Sequence, residues 1–110
     1  MPNCSKNEVI LVRYPFSDLT SAKVRPAVVV GAFAHSPDYL IVPLTSRVGS
    51  LAVGEFLLGD WKAAGLNLPS AVKRGVYTVH DSLILKLLGN LATADAKQIE
   101  QSFCLWLELP

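Results

Sequence analysis

The chain has 110 residues, of which 51% are hydrophobic and 17% charged, and its net charge is +1. That length allows one domain with one core, spanning residues 1–110, and the composition excludes a disordered chain. The near-neutral balance excludes polyanion binding through bulk charge, so any such site must be a local cluster of basic groups.

No apolar stretch spans a membrane without a Pro, Gly or charged interruption, and "MPNCSKNEV" lacks the apolar run of a secretory signal. The two cysteines, Cys4 and Cys104, stand at opposite ends of the chain and match no metal spacing. The expectation is a reduced, cytoplasmic protein with no metal, no cofactor and no membrane contact.

Val9–Val12 is a β-prone run and predicts the first strand. "PFSDLTSAKVRP", residues 15–26, has no periodicity and is bracketed by prolines, which predicts a long and therefore functional loop. Ala27–Phe33 and Tyr39–Leu44 predict the next two strands, with a turn at Ser36, Pro37 and Asp38. Val53–Leu58 predicts a short fourth strand. "DWKAAG", residues 60–65, predicts one helical turn capped by Asp60 and stopped by Gly65. Ala71–Lys73 and Val76–His80 predict short strands, and "SLILKLLGNL", residues 82–91, a helical turn followed by a strand. From Ala94 onward, Ala96, Ile99, Phe103, Trp106 and Leu107 repeat at helical spacing, with Thr93 as cap and Asp95 at the positive end. The sum is mainly β: a small antiparallel sheet curled into a barrel-like core, with one terminal helix.

The second and third strands pair as a hairpin. A turn centred near His35–Ser36 would place Arg25 opposite Ser46 and Pro26 opposite Thr45, with Arg47 beside them; a one-residue slip would reverse the facing. A guanidinium and two hydroxyls on one patch suit a phosphate. Arginine offers a permanently charged planar fork of donors, and hydroxyls add donors with little bulk. Pro26 holds Arg25 extended, which fixes its direction. Spacing alone favours a plainer reading, in which Arg25 is solvated or paired with Asp18 and the hydroxyls form turns.

The same residues carry a resemblance. "VILVRYPFSDLTSAKVRPAVVV", "YLIVPLTSR", "DWKAAGLNLPSAVK" and "TVHDSLILKLLGNL" follow in an order that resembles the PemK/MazF-like toxins of type II toxin–antitoxin modules. The resemblance implies an SH3-like barrel of the CcdB/PemK kind with a C-terminal helix, and a homodimer. It implies a metal-independent endoribonuclease that cuts single-stranded RNA at a short sequence and is held inactive by a cognate antitoxin, with operator DNA bound only together with that antitoxin. Catalytic roles carry over to Arg25 and to Thr45, with Ser46 beside it. A basic position matches Lys73. Two positions depart from the pattern: Gly75 and Thr20 stand where various members place acidic residues.

The implied chemistry is attack of a ribose 2′-hydroxyl on the adjacent phosphorus, giving a 2′,3′-cyclic phosphate. Arg25 would stabilise charge on the phosphoryl oxygens, and Thr45 and Ser46 would hold them. Lys23, Arg47, Lys73 and Arg74 would bind RNA phosphates. Asp18 and His80 are the candidates for a base, and neither is assigned. Tyr14, Phe16 and Trp61 offer faces for base stacking, with packing the plainer role for each. The rival reading is a module of the same fold that binds antitoxin, DNA or RNA without cutting.

Overall fold

The structure, a computed structural model, describes residues 3–14 and 23–110. Asp18, Phe16, Thr20 and most of the expected loop over 15–26 lie outside the described residues. The described elements are β1 (Glu8–Tyr14), β2 (Lys23–Ala32), β3 (Asp38–Thr45), β4 (Phe56–Leu57), β5 (Ala71–Val72), β6 (Tyr77–His80), a 3-10 turn (Asp81–Leu83), β7 (Ile84–Asn90) and α1 (Thr93–Trp106).

All pairings are antiparallel, and the strands run in the order β4-β5-β3-β2-β1-β7. One edge of β3 pairs with β2. Its other edge is shared, with β6 along Asp38–Ile41 and β5 along Leu44–Thr45. This is the expected antiparallel sheet with a C-terminal helix. Among the described residues the strand path is open rather than closed into a ring, so "barrel" describes its curl only.

The central strands are continuously apolar because both faces of the sheet are covered. Val9, Val28, Val42 and Leu44 point into one buried cluster with Ile99 of α1, flanked by Phe103 and Trp106. Ile10, Val12, Ala27, Val29 and Ile41 alternate with them and point into a second cluster with Val79 and Ile84. Period-2 alternation thus divides "VILV" and "AVVV" between two cores.

Several boundaries differ from those the sequence predicts. β2 starts at Lys23, so Arg25 and Pro26 lie within the strand rather than ahead of it. The expected strand Val53–Leu58 shrinks to Phe56–Leu57, because residues 53–54 form a turn beside α1, where the Trp106 indole donates to the Val53 carbonyl at 2.8 Å. The helix cap is Ala92, without a side-chain bond, and Thr93 is the first helical residue. Leu107 falls after the helix and is exposed. The buried face instead takes Asp95, Ile99 and Ser102.

Asp95 is a tether as well as a helix-end charge. Its carboxylate accepts from the Gly59 N–H at 2.8 Å and the Asp60 N–H at 3.1 Å. From there "DWKAAG" forms a compact turn. Asp60 accepts from the Ala63 N–H, Gly65 donates to Lys62 and Leu66 donates to Trp61. That pair of backbone bonds is the left-handed helix stop for which glycine is suited, and Gly65 has φ +81. A side chain at Gly65 would also collide with the Leu88 carbonyl, and one at Gly89 with the Ala64 backbone, so two glycines let this turn sit directly on β7.

Candidate functional site

The β2–β3 ladder ends at Ala27 opposite Pro43. Beyond it the strands part company. β2 continues along β1, with Arg25 opposite Val12 and Pro26 opposite Leu11, while β3 continues along β5. The Lys73 N–H donates to the Pro43 carbonyl, so Pro43 turns that carbonyl toward β5 and Leu44, next in alternation, turns its N–H and carbonyl toward β2. The residue that would answer there is Pro26, which has no N–H to give. The rung cannot be completed, and the strands splay.

The splay opens a groove of about 420 Å³. Val24, Arg25 and Pro26 line it from β2, and Leu44, Thr45, Ser46 and Arg47 line it from the end of β3. Leu66, Asn67, Leu68 and Ser70, from the segment after the Gly65 turn, form the remaining wall. The groove therefore has an apolar floor and a rim of donors.

One detail of the expected register is corrected. The pairing shifts between Val29 and Gly31, where Val30 is an extra residue on β2. Carried past the last rung, the shifted register faces Arg25 with Thr45, one residue from the Ser46 expected from the turn. The groove still brings Arg25, Thr45, Ser46 and Arg47 together.

Local bonds set these side chains. Arg25 is exposed, and its Nη1 donates to the Val24 carbonyl at 3.0 Å, leaving the other guanidinium donors for a ligand. The Thr45 hydroxyl accepts from the Arg47 N–H at 3.1 Å, which fixes the oxygen and leaves its proton to donate. Ser46 and Arg47 are exposed.

Other candidate residues sit elsewhere. Lys23, Lys73 and Arg74 are absent from the groove lining. Lys23 stands opposite Tyr14. Lys73 and Arg74 follow β5 beside Glu55, whose carboxylate accepts from the Ala52 N–H at 2.7 Å and the Arg74 N–H at 2.9 Å. Burial pushes the Glu55 carboxyl up. The two backbone donors and the Arg74 and Lys73 charges outweigh it and hold the group below its ordinary value.

His80 is far from Arg25. It pairs with Asp38 at the opposite end of β3 from Thr45, and its Nδ1 accepts from the Ser82 N–H at 3.0 Å beside Asp81. It caps a turn and does not reach the groove. Tyr14 packs edge-on against Tyr77 at 5.4 Å, on the face of the sheet that Arg25 shares through its partner Val12. Trp61 packs against the helix-side core, with Lys62 over its ring. Burial and the Glu8 carboxylate push the Cys4 thiol up, away from thiolate chemistry.

The described groove lining holds no carboxylate, imidazole or thiol. Among the described residues no three His, Cys, Asp or Glu side chains gather as a metal ion would require. Two features were missed in the sequence. The Leu66–Ser70 wall follows a recognisable turn, but nothing local says which strand it faces. Glu55 reads as one more exposed charge until the fold brings Arg74 to it.

The antiparallel sheet with its C-terminal helix shares the fold of solved MazF-type toxins. The Mycobacterium tuberculosis toxin MazF-mt6 superposes with a TM-score of 0.75 at 19% identity, covering 94% of this chain and 98% of that one. An endoribonuclease in complex with its cognate antitoxin, from a mycobacterial species, gives 0.75 at 19%, covering 98% of each chain. A further mycobacterial endoribonuclease gives 0.74 at 20%, covering 100% of this chain and 96% of that one. No curated protein matches the sequence. A family model described as "PemK-like, MazF-like toxin of type II toxin-antitoxin system" matches residues 5–107, and the chain belongs to that family.

Proposed function

We propose that the protein is an endoribonuclease toxin that cuts single-stranded RNA. The observation that carries this is the split hairpin, which puts a guanidinium, two hydroxyls and a second arginine on one groove. The fold-level likeness to proteins described as endoribonucleases supports it. The scissile phosphate lies at Arg25, whose free donors stabilise negative charge on the phosphoryl oxygens as the 2′-hydroxyl attacks. Thr45 and Ser46 donate to the same oxygens, and Arg47 binds a neighbouring phosphate. The P–O5′ bond breaks, the 5′-oxygen takes up a proton from solvent water and leaves as a hydroxyl, and a 2′,3′-cyclic phosphate remains. The step needs no metal, because fixed cationic donors supply the charge stabilisation. With His80 at the wrong end of β3, Asp18 is the remaining candidate for the base.

The same cationic rim suits an antitoxin peptide rich in acidic residues, which would compete with RNA for the groove. A homodimer and joint binding of operator DNA with the antitoxin complete this reading. No described helix is long and apolar enough to cross a membrane.

The test is incubation of purified protein with mixed-sequence RNA in EDTA. Discrete cuts with cyclic-phosphate ends are expected, and a single 2′-deoxy substitution at a cut site abolishes that cut. Equal cutting of the deoxy substrate sinks the mechanism. A second reading, binding without cutting, is favoured by the lack of any described base in the groove. It predicts RNA or antitoxin binding with no cuts at high protein concentration.

A further inference from the structure

We propose that Asn67 reads one base of the RNA, so that the Leu66–Leu68 lip of the groove helps decide where the chain is cut. The inference rests on the nuclease reading above and names the residue that gives it specificity.

The lip lines the same groove as the phosphate-binding rim of Arg25, Thr45, Ser46 and Arg47. Its chemistry differs from theirs. The arginine forks and the hydroxyls are taken up by phosphate oxygens in the reading above, and contacts to phosphate carry no base information. Asn67 is the one side chain of the described lining that presents a donor and an acceptor in a fixed plane while carrying no charge. A neutral amide adds little to phosphate binding, but it matches the paired donors and acceptors on a base edge. Leu66 and Leu68 flank it, and Leu68 is 59% exposed, which leaves apolar surface against which a splayed base can pack.

The lip is also held in place before any ligand arrives. At one end, the Leu66 N–H donates to the Trp61 carbonyl within the Gly65 turn. At the other, the buried Ser70 donates its hydroxyl to the Leu68 carbonyl at 3.0 Å, and its own carbonyl accepts from the Leu58 N–H at 2.9 Å. Pro69 fixes one more backbone angle between them. A recognition residue on a pinned segment loses little freedom on binding, which favours discrimination.

The experiment maps cuts in a single-stranded RNA library randomised around a known cut site, using wild type, Asn67→Ala and Asn67→Asp. Asn67 is exposed, so both variants are expected to melt with wild type. Asn67→Ala should flatten the base preference at one position by about 5- to 100-fold, the range for one paired base contact, and leave other positions unchanged. Asn67→Asp replaces the amide with an acceptor-only carboxylate. It should move that position toward guanine, whose N1–H and N2 amino group line up two donors. If both variants cut with the wild-type preference at every position, Asn67 does not read a base while the nuclease reading stands. A wild type that cuts no RNA overturns both.

Discussion

At the scale of the residue, the proposed chemistry turns on Arg25. Its exposure and single bond to a neighbouring carbonyl mean that the fold does not depend on it. Arg25→Ala is therefore expected to keep the melting temperature and to lose about 10²- to 10³-fold in kcat, the usual cost of one pre-set donor, with KM changed far less. Arg25→Lys keeps the charge but loses the planar fork, and it should recover only a small part of the rate. An equal-fold rise in KM with kcat intact would make Arg25 a binding group and the charge-stabilisation role wrong. Thr45→Val should likewise reduce kcat, by less, because Ser46 stands beside it. The grouping of Arg25, Thr45 and Ser46 was legible because a hairpin returns the end of one strand to the start of the other. The facing of one on another was not, since the extra residue at Val30 shifts the register and leaves no mark in a continuous apolar run.

At the scale of the element, the groove depends on supports that never touch it. Its Leu66–Ser70 wall hangs from the Gly65 turn, which Asp95 holds to the helix through the Gly59 and Asp60 N–H groups. Asp95 is buried but the Gly59 and Asp60 donors are only partly so, and Asp95→Ala should cost about 1–3 kcal/mol for a donor that water cannot reach and less for one that it can. Gly65→Ala forces an L side chain into a positive φ, costing at least about 1–2 kcal/mol, and drives it into the Leu88 carbonyl as well. Thermal melts should show both losses, and cut-site mapping should show altered preference at temperatures where the variants remain folded. Unchanged melting of Gly65→Ala would mean that the turn moves freely off β7. The turn itself was readable from "DWKAAG", because Asp60 and Gly65 have strong local reasons to be where they are. Its docking was not. β4, before the turn, and β5, after it, are two residues each, shorter than any periodicity can reveal, and their pairing with each other and of β5 with Leu44–Thr45 is what brings the turn beside Thr45.

At the scale of the whole molecule, one sheet with two buried faces uses its central strands for packing, and the proposed site lies where two of them part. The fold class was legible from many short β-prone runs followed by one helical pattern, whereas the division of "VILV" and "AVVV" between two cores shows only in the folded chain. A different joint, beside β5, is made by charge. Glu55 ties the 52–55 turn to the segment after β5 through two backbone donors, with Lys73 and Arg74 nearby. Because folding lowers this carboxyl below its ordinary value, its contribution to stability is present above the unfolded pKa and fades as pH falls through the folded one. Glu55→Gln removes the charge at every pH. The melting temperature of wild type should therefore exceed that of the variant at neutral pH, and the gap should close as the pH falls below the ordinary carboxylate range. A gap that stays constant across that range would show that the latch works through the shape of the side chain and not through its ionisation.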